Sequence, residues 1–123
     1  MTENEISHVF VDCAYQIHTR LGPGLLESVY ETCIKYELTE CGLHAPTQVG
    51  LPVTYRGIKM DAGLKPDMIV EDCVIVEFKS VETMHPIFDA QLITYLKLTG
   101  IRLGFLINFN VVHLKDGIKR IVV

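Results

Sequence analysis

Cys73-Val74-Ile75-Val76-Glu77-Phe78-Lys79, with Lys65-Pro66-Asp67 ahead of it, decides the fold. The run from Cys73 to Val76 is apolar at every position. A strand apolar on both faces is covered on both sides, most often in the central sheet of an α/β domain. Yet this run ends in Glu77 and Lys79, which alternation places on one face, and Asp67 sits on the strand just before it. Charged groups in such a place are costly unless they are paired or bound to a metal. Two carboxylates and a lysine beside a metal ion suit the hydrolysis of a phosphodiester, and that chemistry is the leading expectation.

The turn at Glu71-Asp72 tests the idea. A two-residue loop there sets Asp67 opposite Val76, and the carboxylates of Asp67 and Glu77 then point to opposite faces. A three-residue loop or a bulge sets Asp67 opposite Glu77 instead, and bulges are common beside active sites. The plainer alternative makes Asp67 a strand-end residue and Glu77–Lys79 a partly exposed ion pair.

Working outward, Thr2-x-x-Glu5 forms a capping box, and Ile6, Val9, Phe10, Cys13, Ile17 and Leu21 repeat at helical spacing behind it. Gly22-Pro23-Gly24 stops that helix. A second helix is expected from about Leu25 to Cys41, with Leu26, Val29, Tyr30, Cys33, Ile34 and Leu38 inward, packed on the first as a helical hairpin. Strands follow Pro46: Gln48 to Tyr55, one or two within Ile58–Val70, then Cys73–Lys79. A helix over Ile87–Leu98 is closed by Gly100, and Leu103–Phe109 reads as a buried strand. Asp116-Gly117 signals a two-residue hairpin between Val111–Lys115 and Ile118–Val123. The order is roughly ααβββαβββ: an α/β (α+β) domain with one mixed sheet flanked by helices and an N-terminal helical hairpin.

The chain has 123 residues, 49% of them hydrophobic and 21% charged, enough for one domain over 1–123 with one core. No apolar run approaches the length of a membrane span, and Met1–Glu5 lacks the basic start of a signal peptide, so a cytoplasmic protein without membrane contact is expected. Cys13, Cys33, Cys41 and Cys73 show no metal-finger spacing and read as buried or half-buried thiols. The net charge of −4 counts against nucleic-acid binding. Site carboxylates inflate that negative count, and a bound divalent cation would offset them. Lys115, Lys119 and Arg120 form a small basic group that reads as a solvated turn.

Further residues fit the same site. Glu27 sits in the first turn of a helix, where the dipole alone would favour a carboxylate. Tyr30 lies one turn on, on the same side, and reads equally as a core aromatic. Gln91 and Tyr95 share a face of the third helix, and Gln91 either holds water or phosphate or is simply exposed. The histidines show no ligand spacing. There is no G-x-S-x-G and no phosphate-cradling glycine loop.

Taken together, Gly24-x-x-Glu27-x-x-Tyr30, Pro66-Asp67, Glu77-Phe78-Lys79, Gln91-x-x-x-Tyr95 and Ile107-Asn108-Phe109-Asn110 resemble the GxxExxY proteins. Those small bacterial and archaeal proteins are placed in the PD-(D/E)XK nuclease superfamily, and the resemblance covers nearly the whole chain. It implies a restriction-endonuclease-like core. It further implies that Asp67, Glu77 and the carbonyl of Phe78 hold Mg²⁺ or Mn²⁺, with Glu27 as a further metal contact. Lys79 would orient the attacking water, and Gln91 and Tyr95 match the Q-x-x-x-Y motif of the RecB-like branch. Catalytic roles are thereby expected for Lys79, Glu77, Asp67, Gln91 and Glu27, and substrate contacts for Tyr95, Tyr30 and Gln91. The implied substrate is nucleic acid, DNA before RNA. Two other classes compete: a nuclease-like binding or regulatory module without turnover, and a structural or toxin–antitoxin-like partner protein. A homodimer would help so small a chain grip a duplex.

Overall fold

Thr2 opens the first helix as the capping box requires: its hydroxyl accepts the Glu5 N–H at 3.2 Å, and its own N–H donates to the Glu5 carboxylate at 2.9 Å. The computed structural model describes all residues, Met1–Val123. Helix α1 spans Glu3–Leu21 and buries Ile6, Phe10, Cys13, Ala14 and Ile17. Helix α2 spans Glu27–Glu40, two residues later at its start than the sequence suggests. Leu26 is its extended N-cap and stands 75% exposed, and Val29 is exposed too, so neither points inward. Tyr30, Ile34 and Leu38 carry the buried stripe.

Six strands follow: β1 (Leu51–Tyr55), β2 (Ile58–Leu64), β3 (Met68–Val70), β4 (Val74–Lys79), β5 (Leu103–Asn108) and β6 (Ile118–Val122), with α3 (Pro86–Thr99) between β4 and β5. The order is therefore ααββββαββ, with four strands ahead of α3 instead of three. The strands also form two sheets rather than one. β3-β4-β5-β6 is a mixed sheet, and β1-β2 is a separate two-stranded ribbon. Only β4 and β5 run parallel, joined by the α3 crossover.

Alternation along β4 sorts the two faces. Val74, Val76 and Phe78 join α1 and α2 in the main core, with Phe105, Ile107 and Phe109. Ile75 faces the other way, onto Leu92 and Leu96 of α3. Gly104 lets α3 sit this close, because a Cβ there would meet the Leu92 side chain at 2.9 Å. The mixed α/β class thus holds, with helices on both faces of the central sheet.

The expected strand over Val111–Lys115 is absent. β6 pairs directly with β5, Leu103 against Val122 through to Ile107 against Ile118. The chain between them becomes a loop with a 3₁₀ turn at Leu114–Asp116, and Leu114 drops into the core. His18 secures this loop, its Nε2 lying 2.8 Å from the Val111 carbonyl. The Asp-Gly signal therefore marks the end of a 3₁₀ turn. Cys41 also departs from expectation: it caps α2 and is exposed. Lys119 pairs with Asp89, and Arg120 donates to Asn4 Oδ1 at 3.2 Å, so these two members of the basic group are tied to the body of the protein. No helix is long and apolar enough to cross a membrane.

Candidate active site

The loop between β3 and β4 has three residues, Glu71, Asp72 and Cys73, because Val70 pairs with Val74 and Met68 with Val76. Glu71 and Asp72 both adopt left-handed backbone, with φ of 50° and 54°. His44 holds that strained turn: the Glu71 N–H donates to its carbonyl at 2.8 Å, and its own N–H donates to Glu71 Oε2 at 2.9 Å. Continuing the register by one step sets Asp67 opposite Glu77. Asp67 lies one residue ahead of β3, just outside the ladder, and meets the Glu77 side chain there.

Their contact runs through the backbone. The Asp67 N–H donates to Glu77 Oε2 at 2.7 Å, and the Phe78 N–H donates to Asp67 Oδ2 at 2.8 Å. Glu77 is only 4% exposed. Burial, and then the negative charge of Asp67, push its carboxyl up to about 8. Two carboxylates so close cannot both stay charged at neutral pH without a cation. Lys79 shares Glu77's face of β4, and its ammonium lies 4.2 Å from the centre of the Phe88 ring on α3.

A cleft of about 480 Å³ opens beside Asp67, lined by Leu25, Glu27, Glu31, Gln48, Asp67 and Phe78 among others, with Glu77 and Lys79 outside its lining. Phe78's N–H faces Asp67, and a strand residue presents its carbonyl to the same edge as its N–H. Glu27 reaches across from α2, where its carboxylate accepts the Ser80 N–H at 3.3 Å. The Ser80 hydroxyl donates to the Leu25 carbonyl at 2.6 Å, so the end of β4 is tied to the start of α2. Asn108 secures the chain beyond: its Oδ1 accepts the Val81 N–H at 3.2 Å, and its Nδ2 donates to the Val81 carbonyl at 3.0 Å.

Two residues of this cleft carried no sequence signal. Gln48 takes left-handed backbone, φ 55°, and its N–H donates to the Asp67 carbonyl at 3.0 Å. Its side-chain amide donates both to Asp67 Oδ1 at 3.1 Å and to Glu31 Oε1 at 2.9 Å. Burial first, and then Asp67's charge, push the Glu31 carboxyl above its ordinary value, against the effect of the Gln48 hydrogen bond. Glu31 follows Glu27 by one helical turn and so shares its side of α2.

Tyr30 has no surface to offer a substrate. It is fully buried and stacks on Phe109 with ring centres 4.3 Å apart. Its hydroxyl donates to the Gly22 carbonyl at 2.7 Å and accepts the Leu25 N–H at 3.1 Å. The expectation of a substrate contact gives way to a strut beneath the Gly22-Pro23-Gly24 turn. Gln91 is exposed on α3 and donates to the Tyr95 hydroxyl at 3.1 Å. Neither lines the cleft. Both follow Phe88 at helical spacing, on the side of α3 that meets Lys79.

A profile of the PD-(D/E)XK nuclease superfamily matches residues 4–121. The chain belongs to the PD-(D/E)XK nuclease superfamily. No curated protein and no solved structure gives a match. Nucleases of this superfamily generally use divalent metal ions, and membership implies a nucleic-acid substrate.

No group of three or more His, Cys, Asp and Glu side chains is gathered tightly enough to cage a metal. The donor set still fits a hard divalent cation. Mg²⁺ usually takes one or two carboxylates and fills its remaining positions with water and substrate phosphate. Asp67 and Glu77 supply two such carboxylates. The raised Glu77 carboxyl is a buried acid that a cation would return to its charged form.

Proposed function

We propose that this protein is a divalent-metal-dependent nuclease that hydrolyses phosphodiester bonds of nucleic acid, DNA in preference to RNA. The observation that carries the proposal is the three-residue β3–β4 loop, which sets Asp67 against Glu77 with Lys79 on the same face of β4. Asp67, Glu77 and the Phe78 carbonyl would hold Mg²⁺ or Mn²⁺, with Glu27 as a further contact across the cleft. When bound, the cation supplies charge that polarises a phosphoryl oxygen and eases the deprotonation of water.

The remaining work falls to the chain. The Lys79 ammonium donates a hydrogen bond to the attacking water, fixing its oxygen toward phosphorus, and stabilises the charge that builds there. That oxygen gives its proton to solvent and forms the new bond to phosphorus as the bond to the leaving ester oxygen breaks, and the leaving oxygen takes up a proton from solvent to depart as an alcohol. Phe88, packed against Lys79, limits where the ammonium can swing. Gln91 and Tyr95, already hydrogen-bonded to each other, extend the site along α3 toward the substrate's flanking phosphates. The finer placement, a GxxExxY protein of the RecB-like branch, draws on Gly24, Glu27 and Tyr30 together with this Gln91–Tyr95 pair.

Purified protein incubated with Mn²⁺ or Mg²⁺ and single- and double-stranded DNA and RNA, beside Lys79→Ala, tests the proposal. Cleavage by the wild type alone, with both proteins melting at the same temperature, is the expected result. The competing reading, a nuclease-like binding or regulatory module without turnover, draws on the net charge of −4 and the small size of the chain. It predicts nucleic-acid binding by both proteins and cleavage by neither.

A further inference from the structure

The ribbon β1-β2 stands apart from the rest of the fold. Its strands pair with each other and with no other strand. A lone two-stranded hairpin is marginal in water, so one that is kept usually has a partner. At its base Leu64 is buried and Leu51 packs against the apolar cluster of Ile69, Ile75, Leu92, Leu96 and Leu106. From Val53 outward it leaves the body. Three steps of about 3.3 Å each, Val53 to Arg56, carry the tip roughly 10 Å away.

The ribbon has two unlike faces. Tyr55 pairs with Ile58, and Val53 with Met60, so these four share one face. That face lies open, with Tyr55 and Ile58 each 63% exposed. Thr54 and Lys59 are paired on the other face. Arg56 forms the turn with Gly57, and its guanidinium lies 5.8 Å from the Tyr55 ring centre. Neither Arg56 nor Lys59 takes part in an ion pair or side-chain hydrogen bond, unlike Lys119 and Arg120 on the sheet edge.

Charge and position identify the occupant. Between Leu51 and Lys65, three cations (Arg56, Lys59 and Lys65) face a single acid, Asp61, although the chain as a whole carries −4. The two feet of the ribbon are Gln48 and Asp67, joined by hydrogen bonds from the Gln48 N–H and amide to Asp67. The arm is thus rooted on Gln48 and Asp67, two residues that line the cleft. A two-stranded ribbon fits the major groove of B-form DNA, whereas the deep, narrow groove of A-form RNA does not admit it.

We infer that the Leu51–Leu64 ribbon is a substrate arm that lies in the major groove of duplex DNA, an inference that rests on the nuclease reading above. Arg56 and Lys59 meet backbone phosphates, and the Tyr55–Ile58 pair lies against the groove wall. The test is fluorescence anisotropy with a labelled 20-base-pair DNA duplex and Mg²⁺, in a Lys79→Ala background that removes turnover. Adding Arg56→Ala and Lys59→Ala should weaken binding at least tenfold and lower the slope of log affinity against log salt by about 2. Tyr55→Ser with Ile58→Ser should weaken binding at an unchanged slope, with the mass by light scattering also unchanged.

The ribbon makes few contacts with the core, so circular dichroism should report folded variants. Unaltered affinity in the Arg56/Lys59 variant overturns the arm. So does equally tight binding of an RNA duplex, or a Tyr55/Ile58 variant that turns a dimer into a monomer, which would make the ribbon a contact between copies. A parent protein that binds no nucleic acid at all overturns the nuclease reading itself, a separate outcome from loss of the arm.

Discussion

Asp67 and Glu77 hold each other through the main chain: the Asp67 N–H donates to Glu77 Oε2 at 2.7 Å, while Asp67 Oδ2 accepts the N–H of Phe78, Glu77's neighbour, at 2.8 Å. Glu77 therefore has two jobs that substitution can separate. In Glu77→Gln the amide oxygen can still accept the Asp67 N–H, so the fold should keep its stability while cleavage falls at least a thousandfold. In Glu77→Ala that part-buried N–H loses its partner, at a cost of about 1–3 kcal/mol. Urea denaturation checks the contrast. A Gln variant as unstable as the Ala variant would refute this account of the hydrogen bond.

The raised Glu77 carboxyl sets a pH dependence. Its folded value of about 8 lies above the ordinary 4.5, so the folded protein binds this proton more tightly than the unfolded chain does. Its contribution to stability is fully present below about pH 4.5 and is lost as pH rises toward 8. The loss is on the order of a few kcal/mol, because each tenfold change in proton affinity is worth about 1.4 kcal/mol. In EDTA the melting temperature should fall between pH 5 and 8. Adding Mg²⁺ or Mn²⁺ at pH 8 should recover it, because the cation favours the charged carboxylate, and Glu77→Gln should flatten both effects. A metal-free melting curve independent of pH in wild type would count against the buried acid.

Tyr30 offers a test of structure against substrate binding. Tyr30→Phe keeps the ring stacked on Phe109 but strips the partner from the Gly22 carbonyl and the Leu25 N–H. The expected cost is roughly 1–2 kcal/mol of stability. KM for nucleic acid should stay unchanged at a temperature where the variant is fully folded. A large rise in KM with intact stability would return Tyr30 to the substrate.

Much of this was legible locally. Thr2 and Glu5 mark their own helix start, Gly22 and Gly100 mark the stops, and the apolar run before Glu77 announces a covered strand. The carboxylate pair hangs on a loop length, and left-handed Glu71 and Asp72 let Cys73 join the loop as its third residue. What escaped was set by distant pairing. Val111–Lys115 alternates like a strand, but β6 takes the place beside β5 and Leu114 is drawn into the core. Tyr30 resembles a site residue because it shares a side of α2 with Glu27, which lines the cleft, and helical spacing says nothing about which hydroxyl reaches it. Gln48 lies in a stretch that reads as strand, and its role arises only when the chain returns at Asp67, nineteen positions later.

That role makes Gln48 the sharpest remaining test of the site. Its amide spans Glu31 Oε1 and Asp67 Oδ1, and its N–H holds the Asp67 carbonyl, so it fixes the orientation of a carboxylate it does not chemically assist. Groups that orient a metal's ligands are typically worth 10- to 100-fold in metal affinity or activity. Gln48→Ala should accordingly weaken Mn²⁺ binding by about 10- to 100-fold, read by calorimetry, and cleavage should recover substantially at high metal concentration. Gln48→Glu should do worse than Ala, because it sets a new carboxylate between two existing ones and adds repulsion where the amide gave hydrogen bonds. That defect should ease as pH is lowered, because Glu31, whose carboxyl burial already holds above its ordinary value, takes up a proton and relieves the repulsion. If Gln48→Ala binds Mn²⁺ as wild type does, Asp67 is oriented by the Phe78 N–H alone, and Gln48 serves only to root the ribbon.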